Sequence, residues 1–143
     1  PEQSRRLAGA PRSVEVVELE GSLTAPGDPS REALVAEFDG ARLVAPFTED
    51  VDAALDPGAL SATAERVEGG YRVRLRATSL VRDAHLQVDR LDPDARITDS
   101  LFTLLAGDTV DVLVHSDRDG LEAGLTQWPV LCAANDLKRT HHP

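Results

Sequence analysis

The chain has 143 residues and a mass of 15.3 kDa, enough for one ordinary domain with an extra segment attached. Apolar residues make up 41%, which excludes wholesale disorder, and the net charge of −10 argues against nucleic acid and anionic membrane surfaces, both of which attract Lys and Arg. No stretch approaches the roughly 20 apolar residues of a membrane-spanning helix.

There is no methionine and the first residue is Pro1, which leads to the expectation of an excised or processed piece. Arginine dominates the cations, with Lys138 the only lysine. The single Cys132 excludes an internal disulfide, which points to a reducing compartment and so to a cytoplasmic rather than a secreted protein.

Residues 1–12 have no periodicity and read as a flexible lead-in. Residues 13–20 read as a strand whose phase shifts, because Val17 and Leu19 are apolar as well as Val14 and Val16. Pro26, Gly27, Asp28 and Pro29 make residues 21–31 a loop. A strand over 32–38, an Asp39-Gly40 turn and a strand over 41–47 form a hairpin, since both turn residues tolerate positive φ. Residues 13–47 are therefore expected to be strands from the end of a preceding domain or strands recruited to the following one. The acidic stretch 48–58, with Glu49, Asp50, Asp52 and Asp56 before Pro57-Gly58, is where the chain crosses between packing units.

Residues 48–137 are expected to form an all-β domain, an immunoglobulin-like antiparallel sandwich of about seven strands. Residues 60–67 form a strand with Ala62 and Ala64 inward, and Gly69-Gly70 turns it into the next. In that next strand Tyr71, Val73, Leu75 and Ala77 alternate with Arg72, Arg74, Arg76 and Thr78. Ala84, Leu86 and Val88 predict a further inward row, followed by a turn over 91–95, and Leu101, Thr103 and Leu105 another. Val110, Val112 and Val114 alternate with Thr109, Asp111, Leu113 and His115. This period of two gives each strand one apolar and one polar face. Residues 127–133 add an edge strand, and 138–143 are tail. No segment longer than about ten residues keeps a helical period.

The search for reactive groups returns turns and faces. Asp92 with Asp94, and Asp117 with Asp119, have the composition of ordinary turns, and neither pair continues into a calcium loop. His85 and His115 lie on polar strand faces without a third metal ligand, and His141-His142 belongs to the tail. Cys132 sits in an apolar run and reads as a small buried hydrophobe. No catalytic residue, metal or cofactor is expected. Arg72, Arg74 and Arg76 form a basic stripe in an acidic chain, a candidate docking face whose alternative is a solvated surface. Trp128, before Pro129, is expected to plug one end of the sandwich; if exposed instead, it could stack on a sugar.

Three runs carry a resemblance. They are Leu80-Val81-Arg82-Asp83-Ala84-His85-Leu86-Gln87-Val88-Asp89-Arg90-Leu91-Asp92-Pro93-Asp94-Ala95, then Asp99-Ser100-Leu101-Phe102-Thr103-Leu104-Leu105-Ala106-Gly107-Asp108, and finally Pro129-Val130-Leu131-Cys132-Ala133-Ala134-Asn135-Asp136-Leu137. Together they resemble the C-terminal immunoglobulin-like region of bacterial β-mannosidases of glycoside hydrolase family 2, over roughly residues 32–137. Where that family often carries aromatics before an acidic loop, this chain has Leu43-Val44-Ala45-Pro46-Phe47-Thr48-Glu49-Asp50.

The resemblance implies a non-catalytic domain that packs on and stabilises the rest of a retaining glycoside hydrolase. The two catalytic glutamates of such enzymes lie on a (β/α)₈ barrel with no counterpart in this chain. The implied partners are the other domains of that parent, and the separate chain is expected to be a monomer or weak dimer. Two other classes stay open: an independent carbohydrate-binding module, and a plain interaction domain that pairs through an edge strand.

Overall fold

In the computed structural model, residues 1–7, 12 and 14–139 are described. The expected tail histidines, His141 and His142, and the first residue of the expected strand over 13–20 lie outside these. The chain divides into two compact units, Pro1–Ala53 and Ala54–Pro143. The described residues hold nine strands in three antiparallel sheets, with little helix. The all-β expectation is met.

In the first unit the expected strand before residue 21 does not form. Residues 14–20 have no regular structure, and Val14 and Val16 are 91% and 80% exposed. Among the described residues no strand pairs with this stretch. The Gln3 side chain bridges this backbone, donating to the Glu18 carbonyl at 3.1 Å and accepting from the Glu20 amide at 3.0 Å. A single helical turn, α1 (Gly21–Thr24), follows. Strands β1 (Ala33–Phe38) and β2 (Ala41–Pro46) then form the expected hairpin in full register. Asp39 and Gly40 have φ of 49° and 79°, the left-handed pair that suits the twist of a two-residue hairpin loop. Glu37 and Arg42 face each other at 2.8 Å across it. β1 and β2 make their own two-stranded sheet and share no ladder with the strands of the second unit.

The second unit is a β-sandwich. Its first sheet has the order β3-β4-β8-β6, from β3 (Leu60–Val67), β4 (Gly70–Ala77), β6 (Arg96–Ile97) and β8 (Thr109–His115). Its second has the order β7-β5-β9, from β5 (Val81–Leu86), β7 (Phe102–Leu104) and β9 (Leu131–Cys132). The core lies between them. Tyr71, Val73 and Leu75 of β4 and Val112 and Val114 of β8 join Val81, Ala84 and Leu86 of β5, Leu104 of β7 and Leu131 of β9 in one buried cluster. Each large aliphatic side chain removed from water here contributes on the order of 1.5–3 kcal/mol.

The β3–β4 hairpin turns through Glu68-Gly69, one residue earlier than expected, because Gly70 already pairs with Val67. Gly70 has φ 155°, and a Cβ there would lie 1.9 Å from the Val114 carbonyl oxygen. Glycine is required at that crossing of β4 and β8. Val81 is buried out of phase with Ala84 and Leu86. A register shift between 81 and 84, with Asp83 at φ 52°, absorbs the odd residue. Val88 is buried as expected, but in a 3-10 turn (Val88–Arg90) instead of the strand.

The row Leu101, Thr103, Leu105 is corrected by one residue. Leu101, at φ 63°, is 65% exposed, and Leu104 is the buried member of β7. The left-handed residue before the strand resets its alternation. Three elements had no sequence signal: β6, the turn of helix α2 (Glu122–Leu125), and a 3-10 turn (Ala134–Lys138). The expected edge strand over 127–133 shrinks to the two residues of β9 on β5.

Two polar anchors tie the irregular segments to the core. The buried Tyr71 hydroxyl donates to the Arg118 carbonyl at 2.7 Å and accepts from the Leu121 amide at 3.3 Å. The Arg66 guanidinium lies 4.8 Å from the Tyr71 ring centre and donates to the carbonyls of Ser116 and Arg118. Asn135, 1% exposed, donates to the carbonyls of Asp56 and Leu80 and accepts from the Arg82 amide. A buried amide with these partners meets the requirement that interior polar groups be hydrogen-bonded.

Candidate docking face and isolated side chains

The outer face of the first sheet follows directly from the alternation of β4. With Tyr71, Val73, Leu75 and Ala77 turned into the core, Arg72, Arg74 and Arg76 point away from it. The register places Glu65 and Leu113 beside Arg72, Thr63 and Asp111 beside Arg74, and Ser61 and Thr109 beside Arg76.

Two of the three arginines are engaged by these neighbours. Arg72 reaches Glu65 at 2.8 Å. Arg74 grips Asp111 with two parallel bonds, Nε–Oδ1 at 2.7 Å and a terminal nitrogen to Oδ2 at 2.8 Å, the fork geometry that suits a carboxylate. That contact holds the Asp111 carboxyl below its ordinary range and pushes the Arg74 guanidinium further up. Arg76 is exposed and has no ion pair among the described residues. Arg74, Arg76, Gly107, Thr109 and Asp111 line an open depression on this face. Sequence reasoning missed Arg96, which β6 adds on the far side of His115, because a two-residue strand carries no periodicity.

Trp128 does not plug the sandwich. Its side chain is 60% exposed, and Leu125, Val130 and Leu131 fill the core around it in sequence. The Trp128–Pro129 peptide is cis.

The histidines are not brought together: His85 is on β5 of one sheet and His115 on β8 of the other. His85 is satisfied locally, with Nδ1 3.1 Å from the Asp83 carbonyl and Nε2 3.1 Å from the Gln87 amide nitrogen. Those distances suit Nδ1–H donating and Nε2 accepting. Cys132, half-buried, directs its thiol to the Pro129 carbonyl at 3.0 Å. Burial, and then the neighbouring Asp136, push that thiol up and keep it protonated at neutral pH.

The carboxylate pairs are turns. Asp92 accepts from the Ser116 hydroxyl and the Asp94 amide, which together hold it below the ordinary aspartate range. Asp119 lies 3.5 Å from Arg66. Among the described residues no three His, Cys, Asp or Glu side chains gather as metal ligands would. No helix of the described residues is long and apolar enough to cross a membrane.

Neither a family model nor a curated protein matches the chain.

Proposed function

We propose that this chain is a non-catalytic, immunoglobulin-like β-sandwich domain, C-terminal in a β-mannosidase-type glycoside hydrolase, which packs on and stabilises the catalytic part. The observation that carries this reading is where the three family-like runs fall. Residues 80–95, 99–108 and 129–137 are far apart in sequence, yet they supply β5, β7 and β9 of a single sheet together with the turns beside it.

Strand order supports the immunoglobulin-like part. With β7 left aside, the strands of the second unit pair in the order first, second, fifth, fourth in one sheet, and third with sixth in the other. That is the order of the first six strands of a constant-type immunoglobulin sandwich. The half-buried free thiol of Cys132 fits a reducing, cytoplasmic setting. The domain acts through contact with other domains of its parent, without a cofactor.

The test is enzymatic. Purified chain is expected to leave an aryl β-mannoside untouched, and measurable turnover would overturn the assignment. Reading the coding sequence upstream of Pro1 is expected to give a (β/α)₈ pattern, and its absence would remove the parent.

One observation favours a second reading, an independent carbohydrate-binding module: the exposed Trp128 ring, which is free to stack on a sugar. Calorimetric titration with mannose and mannobiose separates the two. Heat that vanishes in Trp128→Ala supports the module, and no heat supports the structural role.

A further inference from the structure

Strand β3 lies at the edge of its sheet and has no second neighbour among the described residues. At eight residues it is much longer than β6, β7 and β9, the other edge strands of the unit. Its pairing with β4 is regular from Leu60↔Ala77 to Val67↔Gly70, without the bulge that twists many edges out of reach. From Leu60 to Ala64 it carries no charge and no proline, and its two charged residues, Glu65 and Arg66, stand together near one end. Thr63, Ala64 and Glu65 also line a shallow groove with Arg72 and Arg74.

The direction of the free backbone groups follows from the ladder. The Thr78 amide donates to the Ala59 carbonyl at 2.9 Å, so Ala59↔Thr78 is a hydrogen-bonded pair. Alternation then turns Ser61, Thr63, Glu65 and Val67 towards β4, and the N–H and C=O of Leu60, Ala62, Ala64 and Arg66 towards solvent.

We infer that this edge is a self-association site, where β3 of a second copy pairs antiparallel about a twofold axis through Thr63. This inference is independent of the β-mannosidase reading. The edge is self-complementary in that register. Ala62 faces Ala64 of the second copy and Leu60 faces Arg66, which uses every outward backbone group. On the outer face Thr63 meets its own copy and Glu65 meets Ser61, so no like charges stand opposite each other. The two first sheets become one continuous sheet. The occupant is a second copy because one strand sequence meets both requirements, polar partners without like charges outside and a central pair of alanines inside. Backbone pairing along one edge covers less than the roughly 800 Å² per partner of a stable interface, so the dimer is weak and concentration-dependent.

Sedimentation of the full chain from micromolar to millimolar concentration tests this. Average mass is expected to rise from that of the monomer towards twice that value. The amides of Leu60, Ala62, Ala64 and Arg66 are expected to exchange more slowly with deuterium as concentration rises. Ala64→Pro removes an outward N–H, a substitution edge strands accept, and is expected to stay monomeric. Thr63→Lys stacks two like charges on the axis from an exposed position and is expected to weaken association at least tenfold, while its place beside Arg74 lowers the melting temperature only slightly. It carries the test should the proline variant fail to fold. A monomer at every concentration would overturn the inference, and so would a dimer that survives Thr63→Lys intact.

Discussion

At the scale of single residues, Asn135 holds more of the structure than its sequence context advertises. It joins the 3-10 turn after β9 to the chain entering β3 and to the start of β5 through three backbone groups. Each buried group left without a partner costs about 1–3 kcal/mol, so Asn135→Leu is expected to lower the unfolding free energy by roughly 3 kcal/mol in urea titrations. Nothing in the run Ala133-Ala134-Asn135-Asp136 separates this amide from a solvated one, because its partners are 53 to 79 residues away. Asp92 offers a test in pH. Its carboxyl is held below the ordinary value of 3.8, chiefly by the Ser116 hydroxyl. Its contribution is therefore present above that value and lost as pH falls through the lowered one. Ser116→Ala is expected to be less stable than the parent chain near neutral pH, and the difference should narrow in acid melts below 3.8.

At the scale of elements, alternation was a reliable guide for the long strands of the first sheet. β3, β4 and β8 stand where the period of two placed them, with inward and outward faces as expected. Val112 at the centre of β8 is fully buried. Val112→Asp would give up about 1.5–3 kcal/mol of burial and place a charge in the core, and is expected to abolish the cooperative melt seen by circular dichroism. Gly70→Ala is expected to prevent folding as well, since its Cβ meets backbone and no side chain can move aside. Gly69→Ala, with open space around it, is expected to cost only about 1 kcal/mol for its left-handed φ. Alternation misled over residues 14–20, where no second strand among the described residues supplies hydrogen bonds, and at β7, where a left-handed Leu101 shifts the phase. Very short elements such as β6 and α2 contain less than one useful period, and their positions follow from neighbours instead.

At the scale of the whole molecule, the buried cluster runs from Ala59 to Ala133 and lies wholly within the second unit. A chain beginning at Ala54 is therefore expected to keep a cooperative thermal transition, which differential scanning calorimetry would detect as a single peak. The basic stripe also changes meaning at this scale. Arg72, Arg74 and Arg76 are one row in the sequence, but the sheet supplies Glu65 and Asp111 to the first two from strands on either side. The sequence by itself determined the all-β class, the two hairpins, the inward residues of the longest strands and the orientation of the arginines. These rest on local periodicity and on turn residues with positive φ. Tertiary structure alone decided that Trp128 lies in solvent, that two arginines are already neutralised, that His85 and His115 belong to different sheets, and that β3 is left with an open edge. Each depends on which strands become neighbours, and hydrogen bonds between residues tens of positions apart leave no period in the chain.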